Sequence, residues 1–396
     1  MTVVSNSNQL PKNPWPEPDS EALAHSARVV ERVHTEIEGR GGVLPFERYM
    51  DLVMYEPGLG YYVSGTRKFG RQGDFVTAPE LGSLYGRCVA RQAAQILAQL
   101  DGGSLLEFGA GSGVLAATVL AELAERDSLP AEYLIVEVSP ALRAQQQQTL
   151  AGQIKQNPVK VRWLDSLPES GFRGVILANE VLDAMPIIRF RVGAEGHMTA
   201  GVVRRNGHLD WSWQRDPSQD GRIDRLVQQY GLVADYTSEV NPRAAAWMQT
   251  VGRVLDAGLI LVMDYGYPGA EYYHYERSDG TLMCHYQHRA HMDPFLYPGL
   301  QDLTAHVDFS AVAAAGQLAG LDIAGFTSQE AFLLSTGVLD LVADASSGPV
   351  DPKLSAELKQ LTLPSEMGES FKALAMVKHI DTPLLGFSLR DRRVAL

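Results

Sequence analysis

The stretch Ser104-Leu105-Leu106-Glu107-Phe108-Gly109-Ala110-Gly111-Ser112-Gly113-Val114 decides how the chain is read. An apolar run of strand length, 104–108, meets three alternating glycines, and helical spacing follows over 114–126. Glycine lets a backbone bend sharply and pass close to a ligand with no Cβ in the way. A plain strand-to-helix turn is the alternative. A dinucleotide site wants G-x-G-x-x-G, with pyrophosphate on the helix N-terminus. Here the third glycine comes one place early, Val114 stands where that pattern needs glycine, and Glu107 lies two places before the first glycine.

Outward from this turn, the pattern repeats. An apolar run at 133–138 precedes Pro140, which opens a helix to 150. Strands follow at 159–164 and 174–178, and another at 259–264. Strands alternating with helices predict an α/β doubly wound sheet with parallel strands. In such sheets ligands sit beyond the carboxyl ends of the strands, near the topological switch. Glu137 ends the second strand, where a carboxylate can accept both ribose hydroxyls; a solvated strand-end acid is the alternative. Asp165 ends the third, where such folds contact adenine. Asn179-Glu180-Val181-Leu182-Asp183-Ala184-Met185-Pro186 ends the fourth. Glu180 and Asp183, three apart, can aim at one point and suit a cation; a guanidinium offers five donors in a planar fork. Asn179 and Asp183 acting only as helix caps is the other reading.

The 396 residues divide into a flexible lead-in (1–19), an N-terminal helical region with a long loop (20–100), a first core half (101–186), a β-rich and helical insertion (187–257) and a second core half (258–396) that contains a loop insertion at 266–308. Asn206-Gly207 marks a hairpin in the first insertion, helices are expected from 221 to about 257, and the basic tail 390–393 reads as a solvated end. Thirty-four basic against 47 acidic residues give a net charge of −13, which argues against a nucleic-acid partner. Two cysteines, Cys88 and Cys284, are too few for a disulfide framework or a thiolate zinc site. His285, His288, His291 and His306 cluster without H-E-x-x-H spacing, so structural or substrate-loop roles are expected, with no metal. If the acceptor were an oxygen, His306 or His285 could serve as general base. Tyr265, Tyr267, Tyr272, Tyr273 and Tyr275 either line a groove or pack the loop. The first twenty residues lack signal- and transit-peptide character, and no apolar run approaches the roughly 20 residues of a membrane span. The expectation is a soluble protein, cytoplasmic in a bacterial source, with its oligomeric state left open.

Taken together, E-x-G-x-G-x-G resembles the cofactor loop of class I S-adenosylmethionine-dependent methyltransferases, and several segments resemble one family of them. These are PFERYMDLVMYEPGLGYY (45–62), FGRQGDFVTAPELGSLYG (69–86), LLEFGAGSGVLA (105–116), IVEVSPALRAQQ (135–146), ILANEVLDAMP (176–186), DYG (264–266), GTLMCHYQH (280–288) and DLTAHVDF (302–309). They run in the order found in the MidA-type methyltransferases, which include the mitochondrial arginine methyltransferase of complex I assembly. The resemblance implies a class I (Rossmann-like) fold with a helical N-terminal extension and α/β insertions, binding S-adenosyl-L-methionine. It implies that Gly73, Asp74 and Thr77 belong to a loop over the cofactor, and that Gly109, Gly111, Gly113 and Glu137 hold its methionine and ribose parts. Asn179, Glu180 and Asp183 match the motif where the acceptor enters. A protein substrate is implied, a respiratory-complex subunit among the candidates, dimethylated symmetrically on arginine. Ala110 departs from the proline common in relatives, and the missing transit peptide fits a bacterial member.

Overall fold

A computed structural model describes residues 15–64, 77–157, 159–345 and 351–396. Most of the expected lead-in, and both Gly73 and Asp74, lie outside the described residues.

Seven strands form the main run of the central sheet: β1 Ser104–Phe108, β2 Glu132–Val136, β3 Lys160–Leu164, β4 Phe172–Asn179, β5 Leu255–Tyr267, β6 Asp322–Ser328 and β7 Phe371–Lys378, with the two-residue strand Val307–Asp308 added beside the end of β5. Their order is β6-β7-β5-β4-β1-β2-β3. The run from β3 to β5 is parallel, as expected. β7 departs from the expectation: it lies antiparallel between β5 and β6. A dinucleotide-binding sheet places β6 directly beside β5. The reversed strand inserted there gives this sheet its methyltransferase-type order.

β4 and β5 are buried on both faces, which is why they read as unbroken apolar runs. Successive residues point to opposite sides. Leu105, Val175, Leu177, Leu259 and Leu261 face the helices Leu84–Gln99 and Val114–Glu125. Leu106, Ile176, Ala178, Ile260 and Val262 face the helices Pro242–Val254 and Phe309–Leu318.

Between β4 and β5 the chain leaves to build an antiparallel sheet from Ile188–Arg191, Met198–Arg205, His208–Gln214 and Thr237–Val240. Asn206 and Gly207 turn its hairpin at φ of +51° and +84°. Leu44–Pro45 adds to the edge at Val202 and Gly201, so the N-terminal helices Ser20–Gly39 and Phe46–Tyr55 are joined to the insertion. The helix expected to reach about 257 stops at Val254, where β5 begins four residues earlier than read. Leu255 and Ala257 are drawn into the buried sheet, and that pairing outweighs the helical spacing. The stretch 266–308 contains a small sheet with Met283–Tyr286 between Arg289–His291 and Asp302–Thr304. The basic tail is pinned rather than freely solvated: Arg392 donates to Glu369 at 2.7 Å and Arg393 to the Ile323 carbonyl at 3.1 Å. Among the described residues no helix is long and apolar enough to cross a membrane.

Candidate active site

The carboxyl ends of β1, β2, β4 and β5 open into a cavity of about 1470 Å³. Ligand pockets commonly span roughly 300–1,000 Å³, so there is room for a nucleoside cofactor and an acceptor side chain together.

The glycine turn forms one end. Gly109, Gly111 and Gly113 adopt φ of +59°, +52° and +85°, the left-handed region in which a Cβ is strained. A Cβ on Gly113 would stand 3.1 Å from the Gln146 Cα in the helix Pro140–Gln156. Glu137 is buried beside the turn and accepts from the Ser139 amide at 2.8 Å and the Gln146 side-chain amide at 2.9 Å. Burial raises its pKa, and those two donors oppose the rise. Glu107 accepts from the Tyr133 hydroxyl at 2.7 Å, and burial pushes it up to about 7. Thr77 lines the cavity at the start of the short helix Ala78–Leu81, whose Glu80 accepts from Ser112 in the turn. Asp165 is not brought there: it is exposed, pairs with Arg143 at 2.9 Å and does not line the cavity.

The other end carries the acids. Glu180 follows β4 at φ +51°, a conformation a non-glycine residue seldom adopts. One oxygen of Asp264 accepts from the amides of Val181, Leu182 and Asp183 at 3.2, 3.0 and 3.3 Å, which folds the loop into a tight turn under β5. Asp183 Oδ2 accepts from the Tyr265 hydroxyl at 2.6 Å. Its Oδ1 is buried with no hydrogen-bond partner among the described residues. Burial, then the charge of Asp183, pushes Glu180 up to about 8. Burial raises Asp183 too, and Asp264 is raised by burial and by both neighbouring acids. Asn179 donates to Glu180 at 3.3 Å and accepts from Tyr85. Opposite, Tyr55 and Tyr62 stack at 5.6 Å, and Tyr62 donates to the buried Asp302 at 3.1 Å.

His306 lines the cavity edge-on to Tyr265 and Tyr267, and burial pushes its pKa down to about 4. It is a neutral imidazole at physiological pH and a weak base. His285 also lines the cavity, and its pKa is likewise lowered to about 4 by burial.

Comparison with known proteins agrees with this geometry. Residues 88–327 match the model of a family of S-adenosyl-L-methionine-dependent methyltransferases. The chain belongs to that family. The crystal structure of a Burkholderia thailandensis protein bound to S-adenosyl-homocysteine is 42% identical, with a TM-score of 0.91 over 96% of this chain and 100% of the other. The curated protein arginine methyltransferase NDUFAF7 homolog, mitochondrial, of Drosophila melanogaster is 28% identical over 96% of this chain and 92% of its own. The human NDUFAF7 protein is 27% identical over 85% of this chain and 81% of its own.

The cofactor of this methyltransferase is S-adenosyl-L-methionine, and the residues present fit it. A glycine-rich turn at a helix N-terminus lies beside an acid able to take a ribose diol. Sequence reasoning missed Gln146, Asp264, Tyr55, Tyr62 and Asp302 as contributors. Asp264 and Asp302 stood inside the motifs DYG and DLTAHVDF, so the motifs were the available signal.

Proposed function

We propose that this methyltransferase modifies arginine side chains of a protein partner. The observation that carries the reading is the Asp183 carboxylate, with one oxygen buried and unpaired, beside Glu180 in the cofactor cavity. A buried acceptor of this kind calls for a donor, and a guanidinium supplies paired N–H groups in a plane. The names of the Drosophila and human relatives support the same acceptor. Family likeness extends the reading to symmetric dimethylation of a respiratory-assembly subunit.

When bound, the cofactor supplies an electrophilic methyl on sulfur. Asp183 and Glu180 accept N–H groups from two guanidinium nitrogens and leave the third to attack. Positioning is the main task. The bound guanidinium cation draws Glu180, which holds its proton in the free site, into the ionised form, and that carboxylate then receives the proton shed by the methylated nitrogen. The low basicity of His306 disfavours an oxygen acceptor, which would need a competent base.

Incubating the protein with radiolabelled cofactor and a proteome from cells lacking it tests this. Label recovered as methylarginine after hydrolysis is the expected result; label confined to small molecules or lipid overturns it. D183N should lower transfer on the order of 100-fold while S-adenosyl-homocysteine affinity stays within about twofold.

A further inference from the structure

The cofactor end of the cavity contains a side chain whose hydrogen bonds are all directed. Gln146, on the second turn of the helix Pro140–Gln156, is fully buried. Its amide nitrogen donates to the Gly111 carbonyl at 3.0 Å and to Glu137 Oε2 at 2.9 Å. Its amide oxygen accepts from the Trp163 indole N–H at 2.9 Å. An indole can only donate, so the oxygen of the amide must face Trp163 and both N–H groups must face the cofactor turn. The orientation is therefore set chemically: a flipped amide would set its nitrogen against a donor and its oxygen against a carboxylate.

Lone-pair counting shows the consequence. A carboxylate has about four acceptor positions. Ser139 occupies one on Oε1 and Gln146 one on Oε2. The Val138 amide also approaches the carboxylate, which lines the cavity and can turn its remaining acceptor capacity to the hydroxyls of a ribose. Gln146 also fixes the turn itself through Gly111, and Thr149, one turn on, donates to the Ser112 carbonyl at 2.8 Å. The acid and the glycine turn are thereby locked to each other by one residue on a neighbouring helix.

We propose that Gln146, oriented by Trp163, is the positioning residue that aims Glu137 at the ribose diol and so sets ribose recognition by this methyltransferase. It touches the acid and not the ligand. Its removal leaves Glu137 free to rotate or to take up a proton, and the selectivity for the diol falls with it.

The test is calorimetric titration of the full-length wild type, Q146L and W163F with S-adenosyl-homocysteine and with its 2′-deoxy analogue. Wild type should prefer the natural ligand by at least tenfold. In Q146L, overall affinity should fall about tenfold or more and the preference should shrink to threefold or less; W163F, which keeps the amide but frees its orientation, should fall between. A role limited to packing would weaken both ligands equally, and an unchanged preference in Q146L overturns the proposal. If Q146L does not fold, W163F decides: a preference equal to wild type in that variant overturns it as well.

Discussion

Glu180 combines a left-handed backbone with a carboxyl that holds its proton to about pH 8. The usual value for such a group is near 4.5. Between those limits the folded protein binds more protons than the unfolded chain, so this residue makes stability fall as pH rises through the window. E180Q removes that burden. Its unfolding free energy from urea titration at pH 8.5 should exceed that of wild type by on the order of 1–2 kcal/mol, with the gap closing by pH 4.5. Equal values at pH 8.5 would refute the assignment. Tyr265 is the companion case: Y265F takes away the hydroxyl that Asp183 accepts from. The KM for the protein acceptor should rise about fivefold, ~1 kcal/mol, with cofactor affinity unchanged.

At the scale of elements, the acceptor loop depends on β5 lying beside β4. The three amides gathered by Asp264 cap the loop from the neighbouring strand. D264N should lower stability by about 1–3 kcal/mol in thermal unfolding and reduce transfer with it. The glycine turn was legible in sequence because alternating glycines between an apolar run and a helix suit a tight bend against a ligand. Asp264 was visible only as part of a short motif, since its work needs a partner strand more than eighty residues away. The reversal of β7 was not legible: Phe371–Lys378 is almost wholly buried, and an apolar run reads the same in either direction. Asp165 sat at a strand end as Glu137 does, but its side chain turned outward to Arg143, a choice local pattern does not record.

Over the whole molecule, the cavity is closed by segments that sequence places far apart. Tyr55 and Tyr62 come from the N-terminal region, and Thr281 and Met283 from the loop after β5. Fully buried Glu239 in the insertion accepts from the Thr281 amide at 2.8 Å and holds that loop in place. Arg243, at the start of the helix Pro242–Val254, reaches across to Glu47 at 2.8 Å and Asp51 at 2.6 Å. Partly exposed ion pairs of this kind contribute roughly 0–1 kcal/mol each. R243M should therefore fold normally. It should raise the acceptor KM about threefold in steady-state assays, leaving S-adenosyl-homocysteine affinity as in wild type. Such closure was unreadable beforehand, because contacts separated by nearly two hundred residues leave no local trace.

The insertion departs from the end of β4 and returns into β5, two strands that lie side by side. It adds Arg243 and Trp247 to the cavity wall, while the glycine turn and Glu137 sit on strands it does not interrupt. Chimeras exchanging this segment between relatives should keep the donor and change the client.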